Sequence, residues 1–327
     1  MKNFIFPLML FCFFSFVFFS CTNKEKENLL PQKYINGLKI ELKNYSNRIK
    51  ENPNDIHYYI NKARIETILG NPQEALKDYK KAILVEPLNY NLYQHKANVE
   101  RTLGDFAAAL EDMNKVVELT PKNSRAYIDR AHLKSSIGDY YGAIEDCNKA
   151  IELNNSDDYY FVRANIRRNL GDKKGAIEDY TKATEINPVN VVAYKCKAET
   201  IDVRDNYEEA VKLFKKITEL TPNNADAYDN FANALKNFGK LEEAIKMYEK
   251  AIQLNPNHMH DYINLARVQV EVGDIDGALV SLEKAKELDM NNKNVQQQIL
   301  EIKKQIEEQP KEVELRLIKT AENEKNK

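Results

Sequence analysis

Residues 225–258 read ADAYDNFANALKNFGKLEEAIKMYEKAIQLNPNH, and this pattern decides the architecture of the chain. With Ala225 as position 1, Tyr228 is position 4, Ala232 position 8, Gly239 position 15, Ala244 position 20, Tyr248 position 24, Ala251 position 27 and Pro256 position 32. Position 4 recurs as Tyr59, Tyr93, Tyr127, Tyr160, Tyr194, Tyr228 and Tyr262, at steps of 34 residues with a single step of 33. Position 8 is Ala63, Ala97, Ala131, Ala164, Ala198, Ala232 and Ala266, and position 20 is Ala75, Ala109, Ala143, Ala176, Ala210, Ala244 and Ala278. A fixed period of this length marks a stack of similar supersecondary units. The short step falls between Asn154 and Asp158, in a turn.

Each unit reads as two helices. Tyr228, Phe231, Ala232 and Leu235 recur at helical spacing, and Leu241, Ala244, Ile245, Tyr248, Ala251 and Ile252 form a second stripe. Six of the 10 glycines occupy position 15, where a left-handed residue ends a helix without a Cβ penalty. The fifth unit has Asp205 there, a residue type that tolerates this conformation better than most. Position 16 supplies N-cap residues in Asp105, Asp139, Asp172 and Asp274, and Asn71-Pro72-Gln73-Glu74 combines a cap, a first-turn Pro and a Glu. Alanine at positions 8 and 20 lets paired helices approach closely, beside aromatic residues at positions 4 and 24.

The aromatic at position 4, the small residues at 8, 20 and 27, Gly near 15 and Pro at 32 together resemble the tetratricopeptide repeat. The resemblance covers residues 56–292 and implies an all-α fold: an α-solenoid, a right-handed superhelix of helix-turn-helix repeats, with terminal capping helices. The repeats are 56–89, 90–123, 124–156, 157–190, 191–224, 225–258 and 259–292. Residues 34–55 form an N-terminal capping half-repeat, in which a helix from Leu38 to Glu51 sets Tyr45 one period before Tyr79 and Pro53 one before Pro87. Residues 293–327 form a closing helix, with Val295, Ile299, Ile302 and Ile306 as its stripe, and a charged tail after Pro310.

Residues 1–20 open with one Lys and an apolar run from Phe4 to Phe19, short for a bilayer-spanning helix, which needs about 20 residues. The stretch reads as a secretory signal. It ends in Phe18-Phe19-Ser20-Cys21, similar to the lipobox of bacterial lipoproteins, which implies lipid attachment at Cys21 and an outer-membrane anchor, facing the periplasm or the cell surface. Phe18 departs from the usual Leu, and an ordinary cleaved signal or an uncleaved anchor are the alternatives. Residues 21–33 form a polar tether.

Lys2 is the one charged residue of that leader, so the chain from Cys21 carries 47 of the 48 basic residues against 50 acidic, a net of −3. Such balance offers no long-range attraction to nucleic acid or anionic lipid, so membrane contact is expected through the N-terminal lipid and nucleic acid is not an expected partner. Cys147 and Cys196 lie two repeats apart, beyond the roughly 7 Å Cα separation that a disulfide spans. No metal site is expected, because His95 and His132, or His258 and His260, lack a third ligand at suitable spacing. No cofactor is implied, since phosphate loops and nucleophile elbows are missing. Position 7 is basic (Lys62, Lys96, Arg130, Arg163) and position 23 acidic (Asp78, Asp112, Asp146, Asp179) in the first four repeats, which predicts structural pairing between the two helices of a repeat.

In tetratricopeptide proteins the inner face of the first helices usually holds a partner's peptide or helix, through positions 2, 5, 6, 9, 12 and 13. Carried onto this chain, those columns give a partner-binding groove of Ile60, Arg64, Asn98, Arg101, Ile128, His132, Phe161, Asn165, Arg168, Asn233 and Arg267. Asn side chains serve both donors and acceptors of an extended backbone. A merely solvated inner face is the alternative. Repeats that clamp a chaperone's C-terminal carboxylate need Lys at positions 5 and 2, but Asn98 follows Gln94 and Asn233 follows Asp229, so that clamp is absent. Charge on the six columns runs from mildly basic in repeats 1–4 (Arg64, Arg101, Arg125 and Arg168 against Asp129 and Asp158) to mildly acidic in repeats 5–7. The expectation is a non-enzymatic interaction scaffold, lipid-anchored in the bacterial envelope and serving an outer-membrane assembly or secretion machine. A glycan-binding surface lipoprotein is the alternative, and the absence of Trp for sugar stacking weighs against it.

Overall fold

The computed structural model describes residues 31–201, 206–289, 293, 296–304 and 307. The leader, Cys21, the tether up to residue 30, Asp205, Val295, Ile306 and the tail from residue 308 lie outside the described residues. The described chain is helical: α1 (Gln32–Glu51), α2 (Ile56–Ile68), α3 (Pro72–Val85), α4 (Tyr90–Thr102), α5 (Phe106–Leu119), α6 (Ser124–Ser136), α7 (Tyr140–Leu153), α8 (Asp157–Leu170), α9 (Lys173–Ile186), α10 (Val191–Thr200), α11 (Tyr207–Leu220), α12 (Ala225–Asn237), α13 (Leu241–Leu254), α14 (Met259–Val272) and α15 (Ile275–Leu288). Residues 296–304 add a further helical stretch. The seven helix pairs from α2/α3 to α14/α15 fall in the seven repeats.

Two compact units divide at Leu170 and Gly171. In the first, α1 to α8 pack in chain order, each helix against its sequence neighbours. The second does the same from α9 to α15. A stack of this kind has no single central core. Its apolar residues form successive clusters, each shared by adjacent helices.

The repeat columns explain the clusters. Alanines 63, 75, 109, 131, 143, 164, 176, 232, 244, 266 and 278 have no exposed surface. Position 24 is buried in every repeat, as Tyr79, Met113, Cys147, Tyr180, Phe214, Tyr248 and Leu282. Burying a large side chain of this kind stabilises the fold by about 1.5–3 kcal/mol. Neither Cys147 nor Cys196 is part of a disulfide, and Cys147 is buried. Position 4 does more than fill space. The hydroxyls of Tyr93, Tyr127 and Tyr262 donate to the carbonyls of Pro87, Pro121 and Pro256 at 3.0, 3.2 and 3.2 Å, tying the start of one repeat to the turn that ends the previous one.

Helix ends follow the punctuation in the sequence. Gly70, Gly104, Gly138, Gly171, Gly239 and Gly273 all have positive φ, between 73° and 90°. The next residue then caps the second helix: Asp105 accepts from the Ala108 amide, Asp139 from Gly142, Asp172 from Gly175 and Asp274 from Gly277. Asn71 departs from this scheme. Its side chain makes no cap bond and donates to Glu66 at 2.9 Å. The repeat without the glycine also differs, since α10 spans 10 residues against 13 or 14 in the other first helices of the repeats, and Ile201 leaves it with extended geometry.

The N-terminal end differs in detail from the sequence expectation. Helix α1 begins at Gln32, before Leu38 and inside the stretch expected as tether, because Ile35 and Leu38 are buried. Tyr45 lies 6.3 Å from the Tyr58 ring of α2, and Arg48 covers the same ring at 5.7 Å. At the far end, Ile299 and Ile302 join Ile263, Ala266, Val270 and Leu282 in one cluster, so residues 296–304 cover the last repeat as the stripe predicts.

Candidate inner-face groove

The charged columns at positions 7 and 23 are structural pairs, and they leave the inner face to other residues. Lys62 bonds Asp78, Lys96 reaches Asp112 at 2.7 Å, and Arg130 grips Asp146 through two nitrogens at 2.6 and 2.9 Å. Position 11 joins each pair with changing sign. Glu66 and Glu100 approach the lysines at 3.9 and 2.6 Å, whereas Lys134 adds a second cation to Asp146 at 2.9 Å. Burial opposes charge on Lys96, but its bonds to Asp112 and Glu100 outweigh this and raise its pKa. Burial raises the Glu100 pKa, and Asp112 beside it adds to the effect. In the fifth repeat Lys197 turns to Glu209 at 2.7 Å, since position 23 is Leu213. In the sixth, Phe231 stacks on Phe214 with ring centroids 6.1 Å apart.

In the first unit, α4 and α6 frame a concavity of about 510 Å³. Three of the expected groove residues line it together: Asn98, Arg101 and His132. Gln94, Arg125, Asp129 and Ser136 complete its polar wall, and Ala97, Met113 and Leu133 its apolar floor. Asp129 has both carboxylate oxygens engaged, one by Gln94 at 2.9 Å and the other by Arg125 at 3.0 Å. Asn98 and His132 are exposed, and neither side chain hydrogen-bonds another described residue. Partial desolvation lowers the His132 pKa, Arg125 and Arg101 lower it further, and Asp129 opposes them. Near neutral pH the ring is therefore a neutral donor and acceptor.

One repeat earlier, Arg64 is exposed and has no ion pair among the described residues. It acts electrostatically on His95, whose pKa is lowered by burial first and by Arg64 second, and whose ring stacks on Tyr79 at 6.0 Å. Burial pushes the Tyr79 hydroxyl up to about 12. Ile60, Phe161 and Asn165 are half-buried, and Arg168 is exposed on α8.

Ile128 does not fit the expected groove. It is 2% exposed and shares a cluster with Ala131, Cys147, Ala150, Tyr159 and Ile166. Buried in that cluster, where Cys147 is the smallest residue of its column, Ile128 offers a partner no surface.

In the second unit, two of the expected groove residues are used internally. The Asn233 side chain donates to the Asp229 carboxylate at 3.0 Å and accepts from the Tyr248 hydroxyl at 2.9 Å, which leaves its amide engaged on both sides. Arg267 donates to Gln298 of the closing stretch at 3.2 Å. Neighbouring Asp261 is 1% exposed and bonds the His258 ring at 2.7 Å. It lies at position 3, outside the six columns that define the inner face, so column reasoning passes over it. Gln94, Asp129 and Ser136 do sit on those columns, at positions 5, 6 and 13, and a wider reading of the same pattern finds them.

Among the described residues, no group of three or more His, Cys, Asp or Glu could hold a metal ion, and no helix is long and apolar enough to cross a membrane.

Tetratricopeptide repeat models match residues 61–124, 124–157, 157–190 and 225–258, together half of the chain. No curated protein matches the chain. Among solved structures, a tetratricopeptide repeat protein from Parabacteroides merdae is 22% identical over 76% of this chain and 98% of its own, with a TM-score of 0.50. MamA is 24% identical over 51% of this chain and 92% of its own, with a TM-score of 0.46. YrrB, described as a TPR protein with an unusual peptide-binding site, is 24% identical over 56% of this chain and 95% of its own, with a TM-score of 0.45. The matched repeats, the helix pairs and the column chemistry agree: the chain belongs to the tetratricopeptide repeat family.

Proposed function

We propose that this chain is a non-enzymatic protein-interaction scaffold that takes a partner's extended peptide or helix along the inner face of its first unit. The observation that carries this reading is the concavity between α4 and α6, where Asn98 and His132 present polar groups that no described neighbour uses. The part-buried cations at position 7 are satisfied internally by Asp78, Asp112 and Asp146, whereas the exposed Asn98 and His132 side chains remain open to a partner. Unused amide and imidazole groups over an apolar floor suit an occupant that supplies both backbone bonds and apolar area.

The same proposal places the scaffold in the bacterial cell envelope, held at the outer membrane by lipid on Cys21 and serving an assembly or secretion machine. Support comes from the apolar leader and the Ser20-Cys21 junction. Mass spectrometry of the mature N-terminus tests the anchor. A diacylated Cys21 supports it, and an unmodified N-terminus at another site removes it.

The groove is tested by replacing Asn98, His132, Asn165 and Arg168 together and repeating a pull-down from the native envelope. Loss of the partner with helix content unchanged is the expected result. Full partner recovery by the folded variant discards the inner face as the site.

A further inference from the structure

We propose that the concavity between α4 and α6 reads an acidic side chain of the bound segment, placing its carboxylate against Asn98, Arg101 and His132. The proposal rests on the groove reading above and adds the chemistry of the partner. Three observations carry it.

First, the polar groups at this place other than Asp129 can all donate. The Asn98 amide and the His132 ring have no hydrogen-bond partner among the described residues, and the Arg101 guanidinium lines the same wall. Together they supply N–H groups enough for both oxygens of one carboxylate, and bonds to a charged acceptor are stronger than those between neutral groups.

Second, the site is closed to the opposite charge. Its only lining carboxylate is Asp129, whose two oxygens are already held by Gln94 and Arg125. A cationic side chain would have to displace both bonds and would meet Arg101 and Arg125. An acid meets two guanidinium groups and one neutralised carboxylate.

Third, the field extends along the first unit. Arg64 and Arg168 are exposed and without an ion pair among the described residues, one repeat to either side of the concavity. The cations at position 7, by contrast, are consumed by Asp78, Asp112 and Asp146. The charge on offer here belongs to the inner stripe and is complementary to an acidic segment. This donor set differs from a clamp built on lysines: the cation comes from position 12, and position 9 supplies the amide in one repeat and the imidazole in the next.

The arrangement couples binding to protons. Partial desolvation lowers the pKa of the His132 ring before binding, with Arg125 and Arg101 adding to it and Asp129 opposing. A carboxylate placed beside the ring favours its charged form, so binding takes up a proton and strengthens as pH falls toward 6.

The test is selection from a phage-displayed library of random peptides on the full chain in detergent, followed by affinity measurements on the enriched peptides. The expected pool carries Asp or Glu at a fixed place, and changing that acid to its amide weakens binding about tenfold or more. On the R101Q/H132Q variant the same peptide change has little effect, and the gain in affinity between pH 7.5 and 6 disappears with H132Q. Enriched peptides that depend on Asn98 but are indifferent to loss of their acids overturn this inference and leave the groove reading standing. Enriched peptides whose binding is unaffected by Asn98, Arg64 and Arg168 substitutions overturn both. The acid-to-amide change is made in the peptide, so it remains decisive even for a protein variant that folds poorly.

Discussion

The carboxylate of Asp229 on α12 acts on the buried carboxylate of Asp261 on α14, and each keeps one buried oxygen, Oδ1 and Oδ2 respectively, without a hydrogen-bond partner. Burial raises the Asp261 pKa to about 6, the bond to His258 works against this, and Asp229 adds to it. Tyr248 beside them has its hydroxyl pKa raised by burial and by both carboxylates, with Glu271 adding and Arg267 opposing. Two adjacent acids in one buried place ionise together only at a cost.

The consequence for stability has a definite sign. A pKa raised by folding means that the folded state prefers the protonated acid. The contribution is therefore complete below the ordinary aspartate value of 3.8 and is lost as pH rises through about 6. The second unit should gain on the order of 2–3 kcal/mol between pH 8 and pH 4 from Asp261. Asp261→Asn removes the titration, so the difference in urea midpoint between variant and wild type should be largest at pH 8 and shrink toward pH 4. A difference independent of pH contradicts the raised Asp261 pKa.

The ion-pair columns predict a ranking. Asp146→Ala strips the ion-pair partner from both Arg130 and Lys134, which keep only the neutral acceptors Asn114 and the Gly142 carbonyl, whereas Asp112→Ala leaves Lys96 still bonded to Glu100 at 2.6 Å. Removing one side of a buried pair costs about 3–5 kcal/mol when nothing replaces it. Asp146→Ala should fall near the lower end of that range, and Asp112→Ala below it by about half. Equal losses in a denaturant titration would show that position 11 plays no part.

Close helix approach predicts intolerance of size at the alanine columns. Ala109 and Ala244 have no exposed surface, and the added methyl groups of leucine have no space to enter. Either Ala→Leu change should destabilise its unit by about 1–3 kcal/mol through overpacking. The check is the thermal midpoint, and a neutral outcome would require a helix separation larger than the packing implies.

Gly104 isolates backbone strain from crowding. A Cβ built there meets nothing within 4 Å, yet φ is +79°. Gly104→Ala should cost about 1–2 kcal/mol from the left-handed conformation alone. Gly37, where a Cβ also meets nothing and no positive φ occurs, is the control: its change to Ala, inside α1, should be neutral or stabilising.

Much of the fold was legible because each repeat column carries one physical demand. Glycine at position 15, alanine at 8 and 20 and Asp at 16 read out as positive φ, close packing and caps. What a column does not contain is its neighbours. Ile60 and Ile128 share position 5, yet one is half-buried and the other 2% exposed, in a cluster with Cys147, the smallest residue of its column. Asn98 and Asn233 share position 9, but Tyr248 and Asp229 occupy the second amide while nothing described bonds the first. Asn71 reads as a cap and instead serves Glu66. The Asp229–Asp261 contact joins positions 5 and 3 of successive repeats, a pairing that no single-repeat pattern displays.

The central claim, that the inner face of the first unit holds a protein partner, is tested most directly by site-specific photocrosslinking in the native envelope. A benzophenone amino acid replaces Asn98 in one chain and exposed Leu84, on the second helix α3, in another. The account predicts a discrete crosslinked polypeptide from position 98, absent from position 84 and lost when Arg101 and His132 are also replaced. A crosslink at position 84 with none at position 98 contradicts it.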